Sequence, residues 1–209
     1  MKLVLASNNA KKLKELRALF AALPIELQAQ GELGIAEAEE PHITFVENAL
    51  AKARHAAAAC GGAAIADDSG LCVHALGGAP GVISAHFAPA PVVNGDREAL
   101  RAAQDAANNT LLLQRLEGIA DRRAAFVSTL VAVRHAEDPE PLIAFGRWNG
   151  QLLAALQGEG GFGYDPLLFI PDLGMTVAQL PAETKNAHSH RARAAAQMRE
   201  LLRAQWHLD

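Results

Sequence analysis

Lys2-Leu3-Val4-Leu5-Ala6-Ser7-Asn8-Asn9-Ala10-Lys11-Lys12 opens the chain and sets its class. Lys2 to Ala6 reads as a short buried strand, and Ser7-Asn8-Asn9 as a polar turn. Leu13, Leu16, Leu19, Phe20 and Leu23 then recur at helical spacing until Pro24 ends the pattern. Strand, polar turn and helix in that order are the start of an α/β unit.

Residues 25–43 read as irregular and acidic, with Glu37, Glu39 and Glu40 ahead of Pro41. Thr44, with Glu47 three residues on, forms a capping box, so a second helix runs from there through an Ala-rich stretch to Cys60, where Gly61-Gly62 stops it. Ala63 to Ala66 read as a second strand that ends at Asp67-Asp68-Ser69-Gly70. Another short strand, Leu71 to Leu76, breaks at Gly77-Gly78-Ala79-Pro80-Gly81. Residues 88–96 form a loop, and Arg97 to about Leu116 a helix. Ala124–His135 and Leu142–Trp148 pair as a hairpin. A Gly-rich loop over Gly158–Tyr164 precedes Asp165-Pro166 and a short strand, Leu167–Ile170. The last helix runs from near His188 to about Trp206. Helices alternate with strands, and the hairpin interrupts them. That order predicts one α/β domain over residues 1–209 with a mixed sheet, in two lobes with a cleft between them.

Lys plus Arg is 19 against 23 Asp plus Glu, a net charge of −4, which argues against a partner that is nucleic acid or an anionic membrane surface. Half the chain is hydrophobic, but 44 of its residues are Ala, so the larger apolar side chains are no more frequent than in an ordinary globular protein. No apolar run approaches the roughly 20 residues that span a bilayer. The opening apolar stretch is too short for a signal peptide, which predicts a cytoplasmic protein. Cys60 and Cys72 form no CxxC pair and read as buried thiols.

Five segments could carry chemistry. Ser7-x-Asn9-x-x-Lys12 sits at a strand-to-helix turn, where unpaired N–H groups and a lysine suit phosphate, though an ordinary N-cap would look the same. Asp67-Asp68-Ser69-Gly70 puts carboxylates at a strand end, as a hard cation such as Mg²⁺ requires; a polar turn is the plain alternative. Adjacent strand residues face opposite sides, so one of the two aspartates is the ligand or base and the other its support. Glu37-Ala-Glu39-Glu40 is either a solvated loop or the source of a second metal carboxylate facing Asp68. Gly160-Gly161-Phe162-Gly163-Tyr164-Asp165-Pro166 sets two aromatics among glycines, which suits stacking on a planar ring or simply a packed turn. Lys185-Asn186-Ala187-His188-Ser189-His190-Arg191 places cations at a helix start, where they oppose the helix dipole unless an anion or base edge meets them. The remaining histidines show no HExxH spacing, and no GxSxG marks a covalent nucleophile.

In combination these blocks resemble the inosine triphosphatase or Ham1-like family of pyrophosphatases acting on non-standard purine nucleoside triphosphates. The resemblance rests on Ser7-Asn8-Asn9-Ala10-Lys11-Lys12, Thr44-Phe45-Val46-Glu47-Asn48-Ala49, Lys52-Ala53-Arg54, Ile65 to Gly70, Gly77 to Gly81, Gly160 to Pro166 and Ser189-His190-Arg191. It implies an elongated two-lobed α/β fold, a homodimer, and Mg²⁺-dependent hydrolysis of ITP, dITP and XTP to the monophosphate and pyrophosphate. By the same resemblance Ser7, Asn8, Asn9, Ala10, Lys11 and Lys12 cradle the phosphates with Lys52. Asp68 accepts the proton of the attacking water and meets the metal with Glu40 and Asp67. Ser69 contacts substrate, and Phe162, Gly163, Tyr164, Asp165, Lys185, His190 and Arg191 form the nucleoside pocket. This chain departs from the family's usual Arg-Tyr at His86-Phe87 and from a common Gly at Ala192. A Maf-like nucleotide pyrophosphatase is the enzymatic alternative, but it lacks the Gly-Gly-Phe-Gly-Tyr-Asp and Ser-His-Arg blocks. A non-catalytic nucleotide sensor would have no use for Glu40, Asp67 and Asp68.

Overall fold

Leu3 and Leu5 are fully buried and Val4 nearly so, which requires a strand covered on both faces. The computed structural model describes residues 1–93 and 95–208; Asn94, inside the loop expected over 88–96, lies outside the described residues. The first half of the chain runs β1 (Lys2–Leu5), α1 (Ala10–Leu19), β2 (Glu26–Ala29), α2 (Phe45–Cys60), β3 (Ala64–Val73) and α3 (Arg97–Arg115). The second half runs β4 (Arg123–Val133), β5 (Leu142–Leu152), β6 (Leu168–Ile170), β7 (Met175–Thr176), α4 (Ala182–His188) and α5 (His190–Trp206). The strands form one sheet in the order β2-β1-β3-β4-β5-β6-β7. β1 pairs in parallel with β2 and β3, while β6 pairs antiparallel with β5 and β7. This is the mixed, helix-flanked α/β sheet expected from the sequence.

The chain divides into two compact units: Met1–Ser69 with Ser128–Arg147 and Asn186–Asp209, and Gly70–Val127 with Trp148–Lys185. In the first, Leu3 and Leu5 pack with Leu16 and Phe20 of the α1 region and with Ala194, Met198 and Leu202 of α5. Val4 and Ala6 face the other way, onto Ala49, Ala53, Ala56 and Ala57 of α2. Those four alanines recur at helical spacing, so the Ala-rich composition is partly a packing device that lets α2 close on the sheet. In the second unit Leu71, Leu112, Leu116, Phe126, Trp148 and Leu167 form the core.

The helix boundaries follow local chemistry. Thr44 accepts from the Glu47 amide, and Gly61 ends α2 in the left-handed region at φ 65. Asp96 caps α3 and Ser189 caps α5.

Three expectations need correction. Residues 25–43 are not all irregular: Glu26–Ala29 is β2, whose buried Leu27 and Ala29 alternate with outward residues over too few positions to show as a period. The second strand does not end at Asp67-Asp68-Ser69-Gly70. It runs on to Val73 as one ten-residue strand, because cations from neighbouring helices neutralise the carboxylates within it. A short helix, α4, precedes the last one, and Ser189 separates the two as the N-cap of α5.

Gly146 in β5 marks a close approach: a Cβ there would overlap the backbone carbonyl of His190 at the start of α5. Gly146→Ala is expected to cost about 1–3 kcal/mol or more, from strain in a packed contact. An unchanged urea midpoint would contradict this packing.

Candidate active site

Two consecutive residues of β3 lie at the centre of the first unit, and they point to opposite sides of the strand. Asp67 is fully buried. Its Oδ2 lies 3.0 Å from the Lys12 Nζ, 3.1 Å from the Arg191 Nη2 and 3.1 Å from the Ser69 hydroxyl that donates to it. Ser128 of β4 donates to Oδ1 at 2.7 Å. Burial would raise this carboxyl, but Arg191 and Lys12 together outweigh it and hold Asp67 well below the usual carboxylate range. Arg191 in turn donates to Glu15 of α1 and to the Ser69 hydroxyl. Burial also pulls the Lys12 ammonium below its ordinary value, against the attraction of Asp67.

Asp68 has the opposite environment. Its Oδ1 receives the Lys52 Nζ at 2.8 Å, while its Oδ2 is buried and has no hydrogen-bond partner among the described residues. Lys52 spends its other two donors on Glu40 Oε2, at 3.0 Å, and on the Asp67 carbonyl, at 3.2 Å. Burial pushes the Asp68 carboxyl up to about 6, although Lys52 pulls the other way. Lys52 itself is raised: burial lowers it, and Asp68 and Glu40 overcome that. Glu40 is lowered, because Lys52 outweighs its partial burial. Of the two neighbouring glutamates, it is Glu40 that reaches Lys52.

The turn before α1 is ordered by its own side chains. Ser7 Oγ accepts from the Asn9 amide, and Asn9 Oδ1 accepts from the amides of Lys11 and Lys12. Asn8 packs against Gly31, where any Cβ would crowd its side-chain oxygen. Ala10 and Lys11 are exposed on the first turn.

In the second unit the Gly-rich loop is bound by its own aspartate. Asp165 Oδ2 accepts from the Phe162 amide at 3.0 Å and from the Lys185 Nζ at 2.9 Å. The Lys185 ammonium lies 4.7 Å from the centre of the Phe162 ring, a cation–π arrangement. Gly161, at φ 76, has no room for a Cβ beside Asp165. The two aromatics part company here. Phe162 stays partly exposed, whereas Tyr164 is buried and donates its hydroxyl to the Ser84 carbonyl at 2.9 Å. Burial, reinforced by Asp105, lifts the Tyr164 hydroxyl far above its ordinary value, so it remains a neutral donor.

The structure thus gathers Lys12, Glu40, Lys52, Asp67, Asp68, Ser69 and Arg191 within the first unit, and Phe162, Asp165 and Lys185 within the second. His190 is buried as the first residue of α5. Arg191, expected at a base edge, has its donors on Glu15, Asp67 and Ser69. Asp67 turns away from Asp68 and Glu40, with both oxygens engaged by cations and hydroxyls. Glu15 and Ser128 escaped the sequence reading. A serine inside the apolar strand Ala124–Val133 was the available signal for Ser128.

Asp68 with Glu40 suits a divalent cation, since one buried oxygen is left over and both groups are hard carboxylate donors. Among the described residues no three His, Cys, Asp or Glu gather to hold a metal. Such a pair would hold a hard cation only with further oxygen ligands from outside the chain.

The two aspartates should respond differently to amidation. Asp67→Asn leaves Lys12 and Arg191 buried without their counter-charge and should cost about 3–5 kcal/mol in denaturant unfolding. Asp68→Asn should not destabilise the fold at pH 8. Below about pH 4 the Asp68 carboxyl is protonated whether folded or unfolded; from there to about 6 the folded state keeps a proton that the unfolded chain has lost, so its contribution falls as pH rises through that window. The stability of Asp68→Asn relative to wild type should therefore be higher at pH 8 than at pH 4. Thermal melts at the two pH values measure this, and the reverse order would contradict the raised carboxyl.

Comparison with known proteins gives the family of the fold. The sequence profile of the Ham1 family matches residues 3–201. A dITP/XTP pyrophosphatase of Methylibium petroleiphilum is 73% identical over 206 residues, covering 99% of each chain. One from Leptothrix cholodnii is 70% identical over the full length of both. Among solved structures, a HAM1 protein from Coxiella burnetii superposes with a TM-score of 0.86 at 39% identity, covering 97% of this chain and 98% of that one. The dITP/XTP pyrophosphatase of Mycobacterium abscessus gives 0.70 at 40% identity, covering 95% and 98%. With the profile and these relatives spanning nearly its whole length, the chain belongs to the Ham1 family.

Proposed function

We infer that this chain hydrolyses non-standard purine nucleoside triphosphates, dITP, XTP and ITP, at the α–β anhydride bond, releasing the monophosphate and pyrophosphate. The observation that carries the chemistry is the buried, unpartnered Oδ2 of Asp68 beside Glu40 and Lys52. The whole-length relatives named dITP/XTP pyrophosphatase supply the reaction.

Displacement at phosphorus needs charge neutralisation and positioning more than covalent help. The polar turn of Ser7, Asn8 and Asn9, with the exposed start of α1 at Ala10 and Lys11, receives the phosphates at a helix N-terminus. Lys12 and Lys52 add positive charge, both tethered by aspartates that fix where the ammonium groups lie. Asp68 takes a proton from the attacking water at Oδ2. The water oxygen bonds to phosphorus while the bridging oxygen leaves with its electron pair. A carboxyl raised to about 6 suits this role: it is ionised at neutral pH yet more basic than an ordinary aspartate. Asp68 and Glu40 are the residues that would hold Mg²⁺, which when bound supplies charge for the phosphates and acidifies water. The saturated contacts of Asp67 assign it to fixing Lys12, Ser69 and Arg191 in place, in preference to the metal.

Phe162, Gly163, Tyr164, Asp165 and Lys185 take the base, with Phe162 as the stacking ring and Tyr164 as the anchor of its loop. Hypoxanthine and xanthine present a 6-keto acceptor where adenine has a 6-amino donor. Donors that meet the 6-keto group, from His190 or backbone N–H, leave adenine unpaired, and such mismatches discriminate strongly. No helix among the described residues is long and apolar enough to cross a membrane, which is in keeping with work on the cytoplasmic nucleotide pool. The homodimer implied by the family resemblance is measured by sedimentation.

In an assay of XTP, dITP, ITP, ATP and GTP with and without Mg²⁺, the chain is expected to release pyrophosphate with XTP, dITP and ITP far ahead of ATP, and to depend on the metal. Orthophosphate as first product, or equal use of ATP, would overturn the reading. Asp68→Asn should lower kcat by a factor of about 100 or more, as removal of a general base does. The acid limb of kcat/KM should fall at or below about pH 6, the value of the free carboxyl.

A further inference from the structure

The α3 helix carries four polar residues where a helix of this type would be expected to show a core-facing apolar stripe: Gln104, Asp105, Asn108 and Asn109. Asparagine and aspartate are poor mid-helix residues, because their side chains compete for nearby backbone. Here they are spent on backbone that does not belong to α3. Gln104 and Asn108, one turn apart, hold the segment after the third strand. Gln104 Nε2 donates to the Ala88 carbonyl, Asn108 Oδ1 accepts from the Ala88 amide, and Asn108 Nδ2 donates to the Ser84 and Ala85 carbonyls.

Asp105 and Asn109, also one turn apart, converge on a single residue. Asp105 Oδ2 accepts from the Gly163 amide at 2.8 Å, and Asn109 Nδ2 donates to the Gly163 carbonyl at 2.9 Å. Gly163 is at φ 61, a conformation that no side chain of its own holds in place. Asn109 is buried, and its Oδ1 has no hydrogen-bond partner among the described residues. A buried amide oxygen left open is destabilising, so this residue is not there for stability alone. Gly163 lies between Phe162, the partly exposed ring of the loop, and Tyr164, whose hydroxyl is fixed on Ser84.

We propose that Asp105 and Asn109 are positioning residues that clamp both polar groups of Gly163 and so fix the Phe162–Asp165 loop in its purine-receiving form. The proposal rests on the assignment of that loop to the base. Neither residue touches the reacting atoms. Their removal therefore weakens binding of the base and leaves the chemical step alone.

Asp105→Ala, Asp105→Asn and Asn109→Ala separate this from a merely structural role. Asparagine at 105 keeps an acceptor for the Gly163 amide. Expected are a rise in KM for XTP and dITP of about tenfold or more in the alanine variants, from one lost hydrogen bond to an ordered loop, and kcat within about threefold. Asp105→Asn should recover most of the KM. Calorimetric binding of the inosine monophosphate product, which needs no turnover, should weaken in parallel. The inference is overturned by an unchanged KM, by a fall in kcat with KM constant, or by an Asp105→Asn variant no better than Asp105→Ala. If the alanine variants do not fold, Asn109→Leu, which keeps the volume and loses the donor to the Gly163 carbonyl, decides: a raised KM and weaker product binding with kcat kept support the clamp, and an unchanged KM overturns it. A wild-type chain that releases no pyrophosphate from XTP, dITP or ITP overturns the functional reading instead. Product affinity then still reports whether the clamp acts on base binding.

Discussion

A carboxylate withdrawn from water costs several kcal/mol unless opposite charge and hydrogen-bond donors replace the water it loses. Asp67 lies in a central strand with no exposed side-chain surface, and the groups that replace its water come from distant parts of the chain. Lys12 arrives from α1, Arg191 from α5 and Ser128 from β4, with Ser69 two residues along the same strand. One buried charge thereby fixes the first helix, the last helix and the middle of the sheet to a single point. The turn that precedes α1 and the position of Lys12 on it both depend on that point.

The adjacent carboxylate shows how little separates support from chemistry. Asp68 differs from Asp67 only in which side of the strand it faces. It meets one lysine, which it shares with Glu40, and keeps one oxygen without a partner. An over-satisfied group is driven low and an under-satisfied group is driven up, to about 6 for Asp68. Pairs of like groups whose environments push them apart in this way are how a fold divides structural and acid–base duties between neighbours.

Much of this was legible in the residues. The strand, polar turn and helix at the start, the Thr44 cap of α2 and the Gly61 stop are all local, and local chemistry decides them. Asp67-Asp68-Ser69-Gly70 stood out as a charged break in an apolar run, and alternation along a strand required the two aspartates to differ. Carboxylates within an apolar run are expected to end a strand. They do not when cations cover them, and whether cations cover them depends on residues more than a hundred positions away, such as Arg191. β2 was lost for a different reason, since four residues carry too short a period to distinguish a strand from a loop. The pairing of Phe162 with Tyr164 was visible, but their separate fates were not, because the acceptor for Tyr164 is a backbone carbonyl at Ser84 that no side-chain pattern announces.

The sequence by itself determined the class of fold, the ends of α2 and the inventory of groups able to handle phosphate, a hard cation and a planar base. Each of those follows from residue type and short spacing. Only the tertiary structure decided which aspartate is neutralised and which keeps an open oxygen, that Arg191 serves Asp67 and Glu15, and that α3 turns Asp105 and Asn109 onto Gly163. Those outcomes are set by which buried groups find a partner, and the energy of a buried charge or hydrogen bond is fixed by neighbours that are close in space and remote along the chain.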